Sequence, residues 1–254
     1  MKSFAPTALI LSLAAIPAYA HYGMIIPSDN MLSQEDGRSI DLTLSFSHPF
    51  EGKGMTLEPP ASFSVTHAGR TTELVDQLTE TTVMDEAAFA ASYDLDRPGT
   101  YVFALTPQAY WEPEEDAFIT HYTKTYVSAY GDDEGWDTEL GLKTEIVPLS
   151  KPFALWAGNV FQGIVKLDGE AVPHAEVEVE YYNEDGSADV PSDLMITQTI
   201  KADANGVFTY AVPESGWWGF AALNTAEQPM PFEGEDKDHE LGAVIWVHFE
   251  PWAR

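Results

Sequence analysis

The chain has 254 residues, 44% hydrophobic and 12% aromatic, enough to bury one large core or two modest ones. Lys and Arg number 12 against 41 Asp and Glu, a net charge of −29, which excludes most phosphate-backbone binding and argues against docking on an anionic membrane. Cysteine is absent, so disulfides, thiolate metal sites and cysteine nucleophiles are excluded, and any metal has to be held by nitrogen and oxygen.

Residues 1–20 read as a Sec-type signal peptide. Lys2 supplies the positive start, Ala8 to Ile16 the short apolar run, and Ala18-Tyr19-Ala20 the small-x-small cleavage motif. The apolar run is too short to span a membrane, and no later segment reaches that length without charges. The expected product is a soluble periplasmic protein without a membrane anchor, carrying mostly solubilising carboxylates. Cleavage after Ala20 makes His21 the first residue. Its free α-amine and imidazole can then close a six-membered chelate ring on one metal ion. The competing reading is that His at this position is incidental.

The body reads as β. Ile40, Leu42, Leu44 and Phe46 alternate strictly, and His48 falls in register with them before Pro49 ends the strand. His48 is therefore expected on the inward face, as a ligand or as a packed core histidine. Strands are expected at 62–67, 90–95, 100–106, 118–130 and 145–148. Turn signals such as His67-Ala68-Gly69-Arg70 and Arg97-Pro98-Gly99 separate them. Only Met84–Ala91 looks helical. A domain boundary is expected near Pro148–Pro152, dividing the mature chain into residues 21–150 and 151–254. Beyond it, strands are expected at 159–167, 175–182, 196–202, 207–212, 217–223 and 243–249. The run Val172-Pro173-His174-Ala175-Glu176-Val177, followed by Ala202-Asp203-Ala204-Asn205-Gly206, resembles transthyretin-like and carboxypeptidase-regulatory-like sandwiches. The expected fold is all-β, with two antiparallel β-sandwich parts of immunoglobulin-like or transthyretin-like type.

The seven histidines form no H-x-H or H-E-x-x-H pair, so a helical zinc-protease site is excluded and a metal site needs ligands from distant strands. His121 lies mid-strand between Ile119 and Thr123, equally a ligand or a structural histidine. His67 and His174 read as exposed, His248 as outward-facing. His239 belongs to an acidic stretch, Glu233–Glu240, read as a solvated loop. There is no G-x-S-x-G nucleophile elbow and no glycine-rich phosphate loop.

Four pieces taken together resemble one family. They are His21-Tyr22-Gly23-Met24, the Leu44–Gly52 run containing His48, the Tyr110-Trp111-Glu112-Pro113 segment leading to His121-Tyr122-Thr123-Lys124, and Trp217-Trp218-Gly219-Phe220. The chain is similar to the exported, nickel/cobalt-uptake-associated domain family, formerly a domain of unknown function. Its members resemble accessory components of energy-coupling-factor nickel/cobalt transporters. The resemblance implies a Ni²⁺ site, with Co²⁺, Cu²⁺ or Zn²⁺ as alternatives, held by His21, His48 and His121. It also implies a nickel/cobalt permease of energy-coupling-factor type as partner. Some relatives carry a C-terminal membrane helix; none is read in this chain, which suggests a diffusible carrier.

The expected function is capture and delivery of metal, without bond-making chemistry. Two alternatives use the same residues differently. A copper histidine-brace oxidative enzyme would use His21 and a second histidine around an open coordination position. An adhesin-like sandwich would leave the histidines incidental.

Overall fold

A computed structural model describes residues 21–252. The expected signal peptide, residues 1–20, lies outside them. The fold is nearly all β. Among the described residues there is no α-helix, only the 3-10 turns Val75–Gln77 and Asp193–Met195. No helix among them is long and apolar enough to cross a membrane.

Three sheets carry the architecture. A small antiparallel sheet orders the first strand, Tyr22–Pro27, beside Ser39–His48, then Glu86–Asp94, then Thr79–Val83. A large sheet runs through Gln198–Lys201, Glu176–Tyr181, Gly216–Thr225, the last strand Glu235–Glu250, the long strand Ala117–Ala129, Gly99–Thr106 and Ser62–His67. A third sheet pairs Val160–Leu167 with Thr144–Pro148 and Val207–Ala211. One core, with Leu42, Leu44, Phe63, Phe103 and Val127, fills the space against the small sheet. Another, with Phe161, Phe208, Phe220, Ile245 and Phe249, fills the space against the third sheet.

Ala117–Ala129 and Glu235–Glu250 pair in parallel at the centre of the large sheet, with His121 opposite Gly242 and Thr123 opposite Val244. The last strand is buried on both faces from Leu241 to Val247, hence its continuous apolar run. Ala243, Ile245 and Val247 point into the second core, whereas Val244 and Trp246 meet Tyr22 and Met24 of the first strand. The first strand thus crosses one face of the large sheet while pairing edge-on with Ser39–His48.

Two expectations are corrected. Met84–Ala91 is not helical: Met84 and Asp85 turn with φ of 51° and 64°, and Glu86–Asp94 is a strand paired on both sides. The helix preference of its alanines yields to ladder formation with Ser39–His48. Glu233–Glu240 is not a loop either, because the last strand already begins at Glu235.

Candidate metal centre

The site begins with a strand register. Tyr22 pairs with Ser47 in the antiparallel ladder, so one step outward His21 stands beside His48. Directly opposed residues on one face touch, and the two imidazole centroids are 4.7 Å apart. Phe46, two residues before His48 on the same face, lies under both His21 and His121. Its ring centroid is 6.0 Å from His21 and 5.7 Å from His121. Of the three histidines named from the sequence, His21 and His121 share one phenyl ring, and His48 stands against His21. His48 is 5% and His121 2% exposed, which meets the expectation of an inward-facing His48.

Two glycines make room for His121. A Cβ on Gly242 would stand 2.2 Å from His121 Cδ2, and one on Gly23 would stand 2.3 Å from Thr123 Oγ1 and 3.2 Å from His121 Cβ. The ring is thus packed against bare backbone on both sides. Gly23 is itself fixed, since the Trp246 indole N–H donates to its carbonyl at 2.8 Å.

Carboxylates surround the imidazoles. Tyr110–Glu112 pairs antiparallel with Ala117–Ile119, a hairpin anchored by the Trp111 ring against Phe118 and Phe232. It carries Glu112 to His21, where Oε2 lies 3.0 Å from Nε2, and Glu112 Oε1 accepts the Glu114 N–H at 2.9 Å. Glu115 Oε1 is 3.7 Å from His21 Nδ1. On the last strand, Glu240 Oε1 is 3.2 Å from His121 Nε2. The Gly23 N–H donates to His121 Nδ1 over a longer 3.4 Å.

Burial dominates the electrostatics. It pushes the His21 imidazole down to about 4, helped by His48 and His121 and opposed by Glu112 and Glu240. His21 is thus neutral at neutral pH, the form a metal requires. Burial also raises Glu115 to about 7, with Glu240, Glu112 and Glu114 adding repulsion. Glu178 rises to about 7 through burial and then Glu240, Glu180 and Glu115. This crowd of carboxylates is relieved by a proton or a cation.

As the side chains stand, no group of three or more His, Asp or Glu among the described residues is arranged to hold a metal ion. The hydrogen bonds give the reason. Nε2 of His21 and of His121 face carboxylates, and Nδ1 of His121 accepts the Gly23 N–H. The donor set fits a divalent ion chemically, with three imidazoles and adjacent carboxylates. A cavity of about 260 Å³ beside it, lined by Phe46, Tyr110, Trp111 and His121 among others, reaches the cluster from outside.

The sequence matches the family described as Domain of unknown function (DUF4198) over residues 18–226. The chain belongs to that family. The DUF4198 match takes in His21, His48, Glu112 and His121 and ends before the last strand, so Glu240 and Gly242 lie beyond it. The curated proteins give no match. Among solved structures, the D0-D1 domain of intimin is similar at 11% identity over 89% of this chain and 99% of that chain, with a TM-score of 0.25. Fibronectin(III)-like modules of Clostridium thermocellum CbhA are similar at 7% identity over 90% and 95%, TM-score 0.24. Trypsin-activated alpha-2-macroglobulin from Escherichia coli is similar at 9% identity over 91% of this chain and 16% of that one, TM-score 0.28.

The remaining histidines do not join the cluster. His67 stacks on Tyr101 with centroids 3.9 Å apart, His174 is exposed, and His239 bonds Thr120 Oγ1 at 2.9 Å. His248 is partly buried against Trp217 and lies 3.2 Å from Glu250 Oε1. Sequence reading missed Glu112, Glu115 and Glu240 as neighbours of the site. Glu112 was visible in the Tyr-Trp-Glu-Pro segment, but its partner is 91 residues away. Glu240 was hidden among acids read as solvated.

Proposed function

We propose that this protein is a periplasmic metal carrier that captures Ni²⁺, with Co²⁺ as the second candidate, and delivers it to a membrane permease. The observation that carries the reading is the cross-strand pairing of His21 with His48, with His21 and His121 packed on the same Phe46 ring. Cleavage before His21 adds an amine to this cluster of imidazoles. The four nitrogen donors would then be the His21 amine and imidazole, His48 and His121. Capture and release are ligand exchange, with no bond made or broken in a substrate. The same nitrogen set also takes Cu²⁺, and raw affinity follows the usual order that favours copper, so nickel loading would rest on geometry and supply.

The test is calorimetric titration of protein whose first residue is His21, beside protein with one extra residue before it. Ni²⁺, Co²⁺, Cu²⁺ and Zn²⁺ are each titrated. Tight one-to-one binding lost on adding the extra residue supports the reading. Binding indifferent to that residue, or no binding, refutes it. Oxidised fragments formed from a polysaccharide with copper and ascorbate would replace the carrier by an enzyme.

A further inference from the structure

Glu112 does more than crowd the site. Both its oxygens are in use: Oε1 accepts the Glu114 backbone N–H at 2.9 Å, and Oε2 lies 3.0 Å from His21 Nε2. A carboxylate at this distance only accepts, so the proton of the neutral ring sits on Nε2 and the lone pair on Nδ1. Covalent geometry then gives this choice a meaning. The α-amine of a first-residue histidine closes a chelate ring with Nδ1 of the same residue, whereas Nε2 points away and cannot close it. The group opposite Nδ1 is also informative. Glu115 Oε1 stands 3.7 Å from it, beyond hydrogen-bond length and on the side where an ion held by Nδ1 would sit. His121 shares only the first half of the arrangement: its Nε2 is 3.2 Å from Glu240 Oε1, but its Nδ1 accepts the Gly23 backbone N–H at 3.4 Å.

We propose that Glu112 is a positioning residue that holds His21 in the Nε2–H tautomer, leaving Nδ1 to the cation, and that Glu115 supplies an oxygen ligand on the Nδ1 side. The proposal rests on the metal-binding reading above. Histidine ligands elsewhere are oriented in this way by a carboxylate on the far nitrogen, and losing such a partner costs about 10–100-fold in affinity.

The chemistry of an amide separates this role from simple support. Glu112→Gln keeps the shape but has one acceptor oxygen for two N–H groups. The Glu114 backbone N–H is fixed by the hairpin and takes that oxygen. The amide NH₂ then faces His21 Nε2, which becomes the acceptor, and the proton moves to Nδ1.

The experiment uses protein beginning at His21 with ¹⁵N-labelled histidine, read by long-range ¹H–¹⁵N correlation before and after Zn²⁺. The expected wild-type pattern is the Nε2–H tautomer for His21, with Zn²⁺ shifting Nδ1. Glu112→Gln is expected to show Nδ1–H and a Zn²⁺ affinity lower by about 10–100-fold. Glu115→Gln is expected to weaken Zn²⁺ without moving the tautomer. Wild-type His21 protonated on Nδ1, or Zn²⁺ shifting Nε2, overturns the proposal. So does a Glu112→Gln protein that keeps both tautomer and affinity, and a Glu115→Gln protein with wild-type affinity overturns the oxygen ligand. Wild-type protein that holds Nε2–H but binds no Zn²⁺, Ni²⁺ or Co²⁺ instead overturns the carrier reading and, with it, any ligand role.

Discussion

Gly242→Ala tests the seat of His121 without removing a donor atom. The new Cβ would stand 2.2 Å from His121 Cδ2 and 2.6 Å from Nε2, against an ordinary contact of 3.4–4 Å. The ring has to retreat by about 1.2 Å, the difference between 2.2 Å and 3.4 Å. It cannot retreat freely, because the backbone at Gly23 closes the other side and the Glu240 and Gly23 hydrogen bonds would both be lost. Overpacking of this kind costs about 1–3 kcal/mol. In a domain of this size each kcal/mol lowers the melting temperature by roughly 2–4 °C. Gly163→Ala is the control. Its Cβ would meet Ile146 and Phe208 at 2.7 Å and 2.8 Å, in the second core and away from the histidines. Both variants are expected to melt early by calorimetry, but only Gly242→Ala is expected to lose metal affinity. A Gly242→Ala protein that melts and binds like wild type refutes the seat. Equal loss of affinity in both variants refutes its specificity.

Acidification from pH 8 to 6 is expected to raise the melting temperature of the metal-free protein. Glu178 and Glu180, raised to about 7 mainly by burial, favour the fold when protonated, so their contribution is full below about 4.5 and lost as pH rises through 7. His21, lowered to about 4, acts oppositely and destabilises the fold as pH falls from about 6.5 to 4. A melting temperature falling steadily from pH 8 to 6 would show the carboxylates are not held this way. His48→Ala should retain the wild-type circular dichroism and lose more than about tenfold in Ni²⁺ affinity by titration, since even groups that only support a ligand cost that much. Lys124→Met should destabilise by about 3–5 kcal/mol in urea unfolding. It strands Glu145, 2% exposed, whose Oε1 takes the Lys124 ammonium at 2.5 Å. Adding Glu145→Gln, which keeps an acceptor for the Leu140 and Gly141 N–H groups, should recover part of the loss.

Much of this was legible in period-two alternation. The Ser39–His48 strand and the inward turn of His48 follow from Ile40, Leu42, Leu44 and Phe46 alone. The first strand was not read, because Tyr22, Met24 and Ile25 are buried whichever way they point and the segment does not alternate. Without that strand the pairing of His21 with His48 is invisible, although both residues were singled out. The gathering of His121, Glu112 and Glu240 depends on which distant strands become neighbours. Local pattern carries no such information, least of all for a parallel pair. Charge misled in one place: the acids at 235–240 alternate along a strand, and Glu240 turns toward His121 while its neighbours face water.

The parallel union of Ala117–Ala129 with Glu235–Glu250 joins residues about 120 positions apart. Such closure is slow, because the loop entropy is spent before any contact forms. A chain made from its N-terminus leaves the long strand with an open edge until Glu235–Glu250 exists, and open edges invite association with other chains. The same strand seats His121 against Gly242, so His21 meets a completed partner set only after the last strand has arrived. Fragments ending before residue 238 would therefore be expected to aggregate rather than to fold with half a site.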